Sequence, residues 1–137
     1  MVKNDENMIR KLKLKSFWDE RGGLTACEVK DVVDFEIRRF YFISNPKGKR
    51  GEHAIINEKK IYVLVAGHMD AHFHDGKEWR HEKMSEVGEA IVIESFLWRE
   101  FDNFSEDAIL LCLSSLNYEE CEYINNFEEF VIKSKSL

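Results

Sequence analysis

Short runs rich in Val, Ile, Phe and Tyr recur along this chain about every eight to twelve residues, with glycines and polar residues between them. That rhythm is the signature of strands joined by turns, and the single proline, Pro46, interrupts none of the runs. Lys11 to Lys15 alternates lysine with Leu12 and Leu14, and Glu36 to Ser44 is a long aromatic and aliphatic run. Lys60 to Ala66 reads Lys-Ile-Tyr-Val-Leu-Val-Ala, a near-continuous apolar strand of the kind that is covered on both faces. Met69 to Lys83 predicts a hairpin: Asp75-Gly76 supplies a two-residue turn, and Met69, Ala71 and Phe73 alternate with Asp70, His72 and His74. Gly88 to Glu94 and Ala108 to Ser114 add strands, while Tyr123, Phe127, Phe130 and Val131 at helical spacings predict a C-terminal helix over Glu119 to Lys133. The fold class expected is all-β, a sandwich or small barrel closed by a short helix.

With 137 residues, 44% of them hydrophobic, the chain has the size and apolar content of one domain, 1–137, with residues 1–10 expected as a flexible N-terminus. Its 26 acidic and 20 basic residues give a net charge of -6, which argues against bulk nucleic-acid binding and requires any anionic ligand to be held by a local arginine or lysine cluster. Cys27, Cys112 and Cys121 are far apart, form no Cys-x-x-Cys pair and read as reduced thiols. No run reaches the length of an apolar membrane span and Met1 to Asn7 is polar, so a cytoplasmic protein without a membrane partner is expected.

The middle of the chain resembles the interior blocks of a cupin barrel, where histidines two residues apart share a strand face and converge on a metal. Gly51, His53 and Gly67 fit the first block, and Gly88 and Asn103 fit the second. Ile55 stands where the second histidine belongs, and Arg99 where the histidine of the second block belongs. A guanidinium stays protonated and repels a divalent cation, so no metal is expected. Histidines 68, 72, 74 and 81 lie close in sequence but lack carboxylate or thiol partners at ligand spacing; His72 and His74 are expected on a solvated face.

Four segments occur in register: Asp19-Glu20-Arg21-Gly22-Gly23-Leu24, Ile37 to Ile43, Arg50-Gly51-Glu52-His53-Ala54, and Tyr118 to Ile124. Together they resemble the WxcM-like sugar cupins, the dTDP-4-keto-6-deoxyglucose 3,4-ketoisomerases, from about Asp19 to Phe130. The resemblance implies a cupin-like (RmlC-like) jelly roll that needs no cofactor and moves a ketone from C4 to C3 of a dTDP-linked sugar, in the making of an unusual deoxysugar for surface glycans. It also implies a homodimer that exchanges N-terminal strands, which gives Leu12 to Phe17 a role. Such a reaction needs a base for the proton on C3, donors for an enediolate and an acid at C4.

By the same resemblance, His53 is the first histidine of a His-Ala-His motif, Tyr41 the strand tyrosine and Arg21 the arginine of an Arg-Gly turn. Arg99 falls near the sugar, and Arg39 and Arg50 are expected near the diphosphate. Catalysis is thus assigned to His53 and Tyr41, and substrate binding to Arg21, Arg39, Arg50 and Arg99. The departure is Ile55, which replaces the second histidine, the base that the resemblance implies, and has no titratable proton. Either His53 carries the proton transfer, or the chain is a nucleotide-sugar-binding cupin without turnover; a related epimerase would use the same enolate chemistry.

Overall fold

The computed structural model describes residues 9–137. Two five-stranded antiparallel sheets face each other as a small jelly-roll barrel. The first has the order β1 (Ile9–Lys13), β9 (Glu89–Ile93), β6 (Lys60–Ala66), β11 (Ile109–Ser114) and β4 (Arg39–Ser44). The second has the order β12 (Tyr123–Ile124), β5 (Arg50–Ile55), β10 (Trp98–Asp102), β7 (Met69–His74) and β8 (Trp79–Met84). Residues 1–8 of the expected flexible N-terminus lie outside the described residues, whereas Ile9 is already buried in β1.

Alternation decides which side chains enter the barrel. Tyr62 and Leu64 of β6, Met69, Ala71 and Phe73 of β7, Ile91 and Ile93 of β9, and Leu110 and Cys112 of β11 form the core between the sheets. The other face of β6, with Ile61 and Val63, packs with Ala90 and Val92 under the segment that carries Val33, Phe35 and Ile37. Being covered on both sides, β6 reads as an unbroken apolar run. That segment includes a single short helical turn, α1 (Val29–Val32), which the sequence reading did not anticipate.

Four expectations change. The C-terminal helix, α2 (Phe127–Ser134), is shorter than Glu119 to Lys133: a 3-10 turn at Tyr118–Glu120 and strand β12 precede it. Asn126 caps α2 by accepting from the Glu129 amide at 2.8 Å, so the helix begins where a side chain can satisfy its first free N–H groups. The β7–β8 hairpin turns through residues 75–78, not two residues; the Asp75 side chain accepts from the Lys77 and Glu78 amides, and Gly76 has φ 102°.

His74 is the third change, because α2 closes over its face of the second sheet. It is buried against Trp79, Phe127 and Phe130, and its Nδ1 accepts from the Gly76 amide at 3.0 Å. His72 does have a carboxylate partner: its Nε2 lies 2.7 Å from Asp102 Oδ1, and its Nδ1 2.7 Å from His81 Nδ1. Among the described residues, no three His, Cys, Asp or Glu side chains converge as metal ligands.

Strands β2 (Lys15–Asp19) and β3 (Gly22–Ala26) form a hairpin that pairs only with itself and exposes Phe17, Trp18 and Leu24. Phe40 and Phe42, on the outer face of edge strand β4, are exposed too.

Candidate active site

A cavity of about 200 Å³ opens between the sheets, walled by β4, β5, β6, β10, β11 and β12. Alternation along β4 sends Arg39, Tyr41 and Ile43 into it and Phe40 and Phe42 outward. On β5 an irregularity aims the histidine. Gly51 and Glu52 both have positive φ, 91° and 61°, and the ladder to β10 shifts there: Arg99 pairs with His53 and Glu100 with Gly51. The extra residue of this bulge is Glu52, which stays exposed while His53 turns to the cavity. A Cβ on Gly51 would stand 2.7 Å from the Arg99 carbonyl oxygen, so only glycine lets the strands approach this closely.

His53 is held in one protonation state. Its Nδ1 lies 3.0 Å from the Gly51 carbonyl, which can only accept, so Nδ1 carries the hydrogen and Nε2 keeps its lone pair. Burial and then the charge of Arg99 lower its pKa to about 4, so the ring is neutral at physiological pH. Tyr123 packs edge-on against it with ring centroids 5.1 Å apart. Ile55, two residues on, is fully buried and paired with Tyr123, but it does not line the cavity.

Behind the cavity three cations share one carboxylate. Glu58 is 2% exposed; Arg99 Nη1 lies 3.1 Å from one of its oxygens, and Lys60 Nζ and Arg39 Nη2 lie 3.2 Å and 3.8 Å from the other. The Ser114 hydroxyl donates to that second oxygen at 2.6 Å. Burial alone would raise the Glu58 pKa, but Lys60, Arg99 and Ser114 outweigh it and hold the carboxyl below its ordinary range. One negative charge cannot neutralise three positive ones, so the wall favours an anion.

Arg99 also donates to Tyr62 Oη at 3.0 Å and to the Leu97 carbonyl at 3.2 Å, while its buried Nε has no hydrogen-bond partner among the described residues. An unmet buried donor in a cavity wall is costly unless a ligand accepts from it. One imidazole surrounded by guanidinium groups does not suit a divalent metal.

The structure brings Arg39, Tyr41, Arg50, His53 and Arg99 into one cavity. It does not bring Arg21 there: the side chain sits at the tip of the β2–β3 hairpin, paired with Asp19 at 2.6 Å and 86% exposed. The hairpin makes no ladder to either large sheet, so nothing within this chain carries Arg21 to the cavity. Sequence reasoning missed Glu58, Lys60, Tyr62 and Tyr123. Glu58 and Lys60, two residues apart at the entry to the apolar run of β6, were the available signal for the first two, since charges are buried there only when paired.

Residues 7–135 match the family described as FdtA, WxcM-like, C-terminal. The chain is 28% identical over 121 residues to the TDP-4-oxo-6-deoxy-alpha-D-glucose-3,4-oxoisomerase of Aneurinibacillus thermoaerophilus, covering 87% of each chain. It superposes on the WlaRB TDP-quinovose 3,4-ketoisomerase of Campylobacter jejuni with a TM-score of 0.82 and 34% identity, over 90% of this chain and 97% of that one. It also superposes on a mutant of the 3,4-ketoisomerase QdtA of Thermoanaerobacterium thermosaccharolyticum in complex with TDP-4-keto-6-deoxyglucose, with a TM-score of 0.86 and 25% identity over 94% and 95% of the two chains. With a family match spanning nearly its whole length and a cavity of the matching fold, the chain belongs to the FdtA, WxcM-like C-terminal family.

Proposed function

We propose that the protein is a sugar-nucleotide 3,4-ketoisomerase that moves the ketone of a dTDP-4-keto-6-deoxyhexose from C4 to C3 through an enediolate. The observation that carries this is the neutral His53 imidazole, with a free Nε2, facing a wall in which Arg39, Lys60 and Arg99 share the single carboxylate of Glu58. In this reading Nε2 of His53 takes the C3 proton. Charge then moves onto O4, and a cationic wall stabilises that charge, so the enediolate gains more from it than the ketone does. Burial first and then Arg99 keep the ring neutral, and the new negative charge offsets both, so the imidazolium becomes favourable as the proton arrives. Returning the proton to C4 while O3 loses its own leaves the ketone at C3. Arg50 and Arg39 suit the diphosphate, and the Arg99 Nε suits a sugar oxygen.

Two copies form the working unit in this reading. The self-paired β2–β3 hairpin and edge strand β4 expose Phe17, Trp18, Leu24, Phe40 and Phe42, an apolar surface that a second copy would cover by strand exchange. Exchange would also give Arg21 a cavity to serve, that of the partner. The three unpaired cysteines support a reducing, cytoplasmic setting. Among the described residues, no helix is long and apolar enough to cross a membrane.

The test is incubation with dTDP-4-keto-6-deoxyglucose in deuterated water, followed by NMR. Deuterium at C3 or C4 with a new 3-keto sugar is the expected result. Ile55, which has no proton to transfer, favours one other reading, binding without turnover, and an unchanged sugar that still binds would establish it.

A further inference from the structure

Lys60 is 0% exposed in the wall of the barrel, and its ammonium donates to Tyr41 Oη at 2.6 Å. Its other anchor is Glu58 at 3.2 Å, already claimed by Arg99 and Arg39. A buried lysine is costly, and here the carboxylate that could offset it is divided among three cations. Because the ammonium donates to Oη, the hydroxyl hydrogen of Tyr41 is free to turn to an acceptor in the cavity, which Tyr41 lines, with the Cys112 sulfur as its alternative partner. The lysine does not line that cavity, so anything it does for a ligand it does through the tyrosine.

We propose that Tyr41 and Lys60 form a proton relay, in which Tyr41 exchanges a proton with the oxygens of the sugar and Lys60 is the positioning residue that stores it. This rests on the ketoisomerase reading and deepens it. Isomerisation moves two protons: one from C3 to C4, which His53 carries, and one from O3 to O4, for which His53 is not available while it holds the first. When the C3–H bond breaks and the C3–C4 double bond forms, O4 takes the Tyr41 proton and Tyr41 takes one from Lys60. When O3–H breaks and the ketone forms at C3, that proton returns through Tyr41 to Lys60, and the double bond takes the His53 proton at C4. Both side chains end as they began, and no external oxidant or reductant is required.

The surroundings divide the work between the two groups. Burial pushes the Tyr41 phenol far above its ordinary value, so a standing phenolate is excluded and the proton must be replaced as it leaves. For Lys60, burial and Arg99 outweigh the opposing pull of Glu58 and lower its pKa to about 8, close to the pH at which a proton store is most effective. The groups around this ammonium are Tyr41 and Arg39 of β4, Tyr62 of β6, Cys112 of β11, Arg99 of β10 and Glu58, with His53 across the cavity. Within that set the Cys112 thiol is itself raised to about 11, and burial holds Tyr62 protonated, which leaves Lys60 as the group that titrates near 8.

The experiment measures kcat, KM and their pH dependence in the native enzyme and in Lys60→Gln, Tyr41→Phe and the double variant, with dTDP affinity as a control. Native kcat is expected to fall as pH rises through about 8, as the store loses its proton. Each single variant is expected to lose about a hundredfold or more in kcat with KM within about threefold, to lose the limb near pH 8, and to be no worse when combined. Should Lys60→Gln fail to fold, Tyr41→Phe, which removes one oxygen and keeps the ring, carries the same test of the limb. Native-like kcat, a limb that persists in both variants, or additive losses would overturn the relay while leaving the isomerase reading intact. A native enzyme that binds the sugar nucleotide and never exchanges its protons would overturn both.

Discussion

The Arg99 guanidinium and the Glu58 carboxylate meet at 3.1 Å with both side chains sealed from solvent, linking β10 of one sheet to the β5–β6 connection that leads into the other. The pair both fastens the sheets together and fixes a positive charge in the cavity wall.

Removing one partner of such a pair strands the other. Glu58→Gln is expected to cost about 3–5 kcal/mol, read as a lower midpoint in urea unfolding. Because the folded pKa of Glu58 is lowered, its contribution is complete above the ordinary carboxylate value and is lost as pH falls through the folded value. Acid unfolding of Glu58→Gln should therefore be shallower than that of the native protein.

His53→Gln is expected to lose about a hundred- to ten-thousandfold in turnover and to retain sugar-nucleotide affinity, checked by product NMR and by calorimetric titration. The histidine also leaves a mark on stability. Its folded pKa is about 4 against 6.5 in the unfolded chain, so its contribution is present above pH 6.5 and is lost as pH falls from there toward 4. His53→Gln should flatten that part of the stability curve.

Gly51→Ala places a Cβ 2.7 Å from the Arg99 carbonyl at a φ of 91°. The bulge must shift, so activity should fall with His53 and Arg99 both chemically intact, and the melting temperature should drop with it. Activity at the native level would show that the aim of His53 does not depend on this bulge.

Phe130 is fully buried among Ala54, Trp98 and Ile124 under α2, and Phe130→Ala is expected to cost about 3–5 kcal/mol by thermal or urea unfolding. The loss should expose His74 and loosen β5 and β10 from outside the barrel, which raises KM before it affects the chemistry.

Arg21→Ala is expected to fold normally, since the side chain is exposed, yet to weaken substrate binding if the exchanged dimer is the working unit. Mixing it with His53→Gln makes hybrid dimers in which one of the two cavities keeps both residues, so partial recovery of activity is the expected result. No recovery in a mixture that sedimentation shows to be hybrid would count against the exchange.

The strand rhythm was legible because alternation is local, and β6, β7, β9 and β11 lie where apolar runs and turn residues put them. The burial of His74 was not legible, because it depends on α2 closing over a face that alternation assigns to solvent. Glu119 to Lys133 misled for the opposite reason: its apparent helical spacing spans a 3-10 turn, a strand and a helix in succession. In the cavity, His53, Arg39, Arg50, Tyr41 and Arg99 carried motif signals and converge. Glu58 and Lys60 offered only a pair of opposite charges at a strand entry, and only the fold shows that Arg39 and Arg99, on distant strands, meet the same carboxylate.

The shared carboxylate has a cost when the barrel is empty. Like charges confined in one wall repel, so a bound anion is expected to stabilise the fold as well as fill the cavity. Durability and occupancy are then coupled: a rise in melting temperature with dTDP is the expected sign.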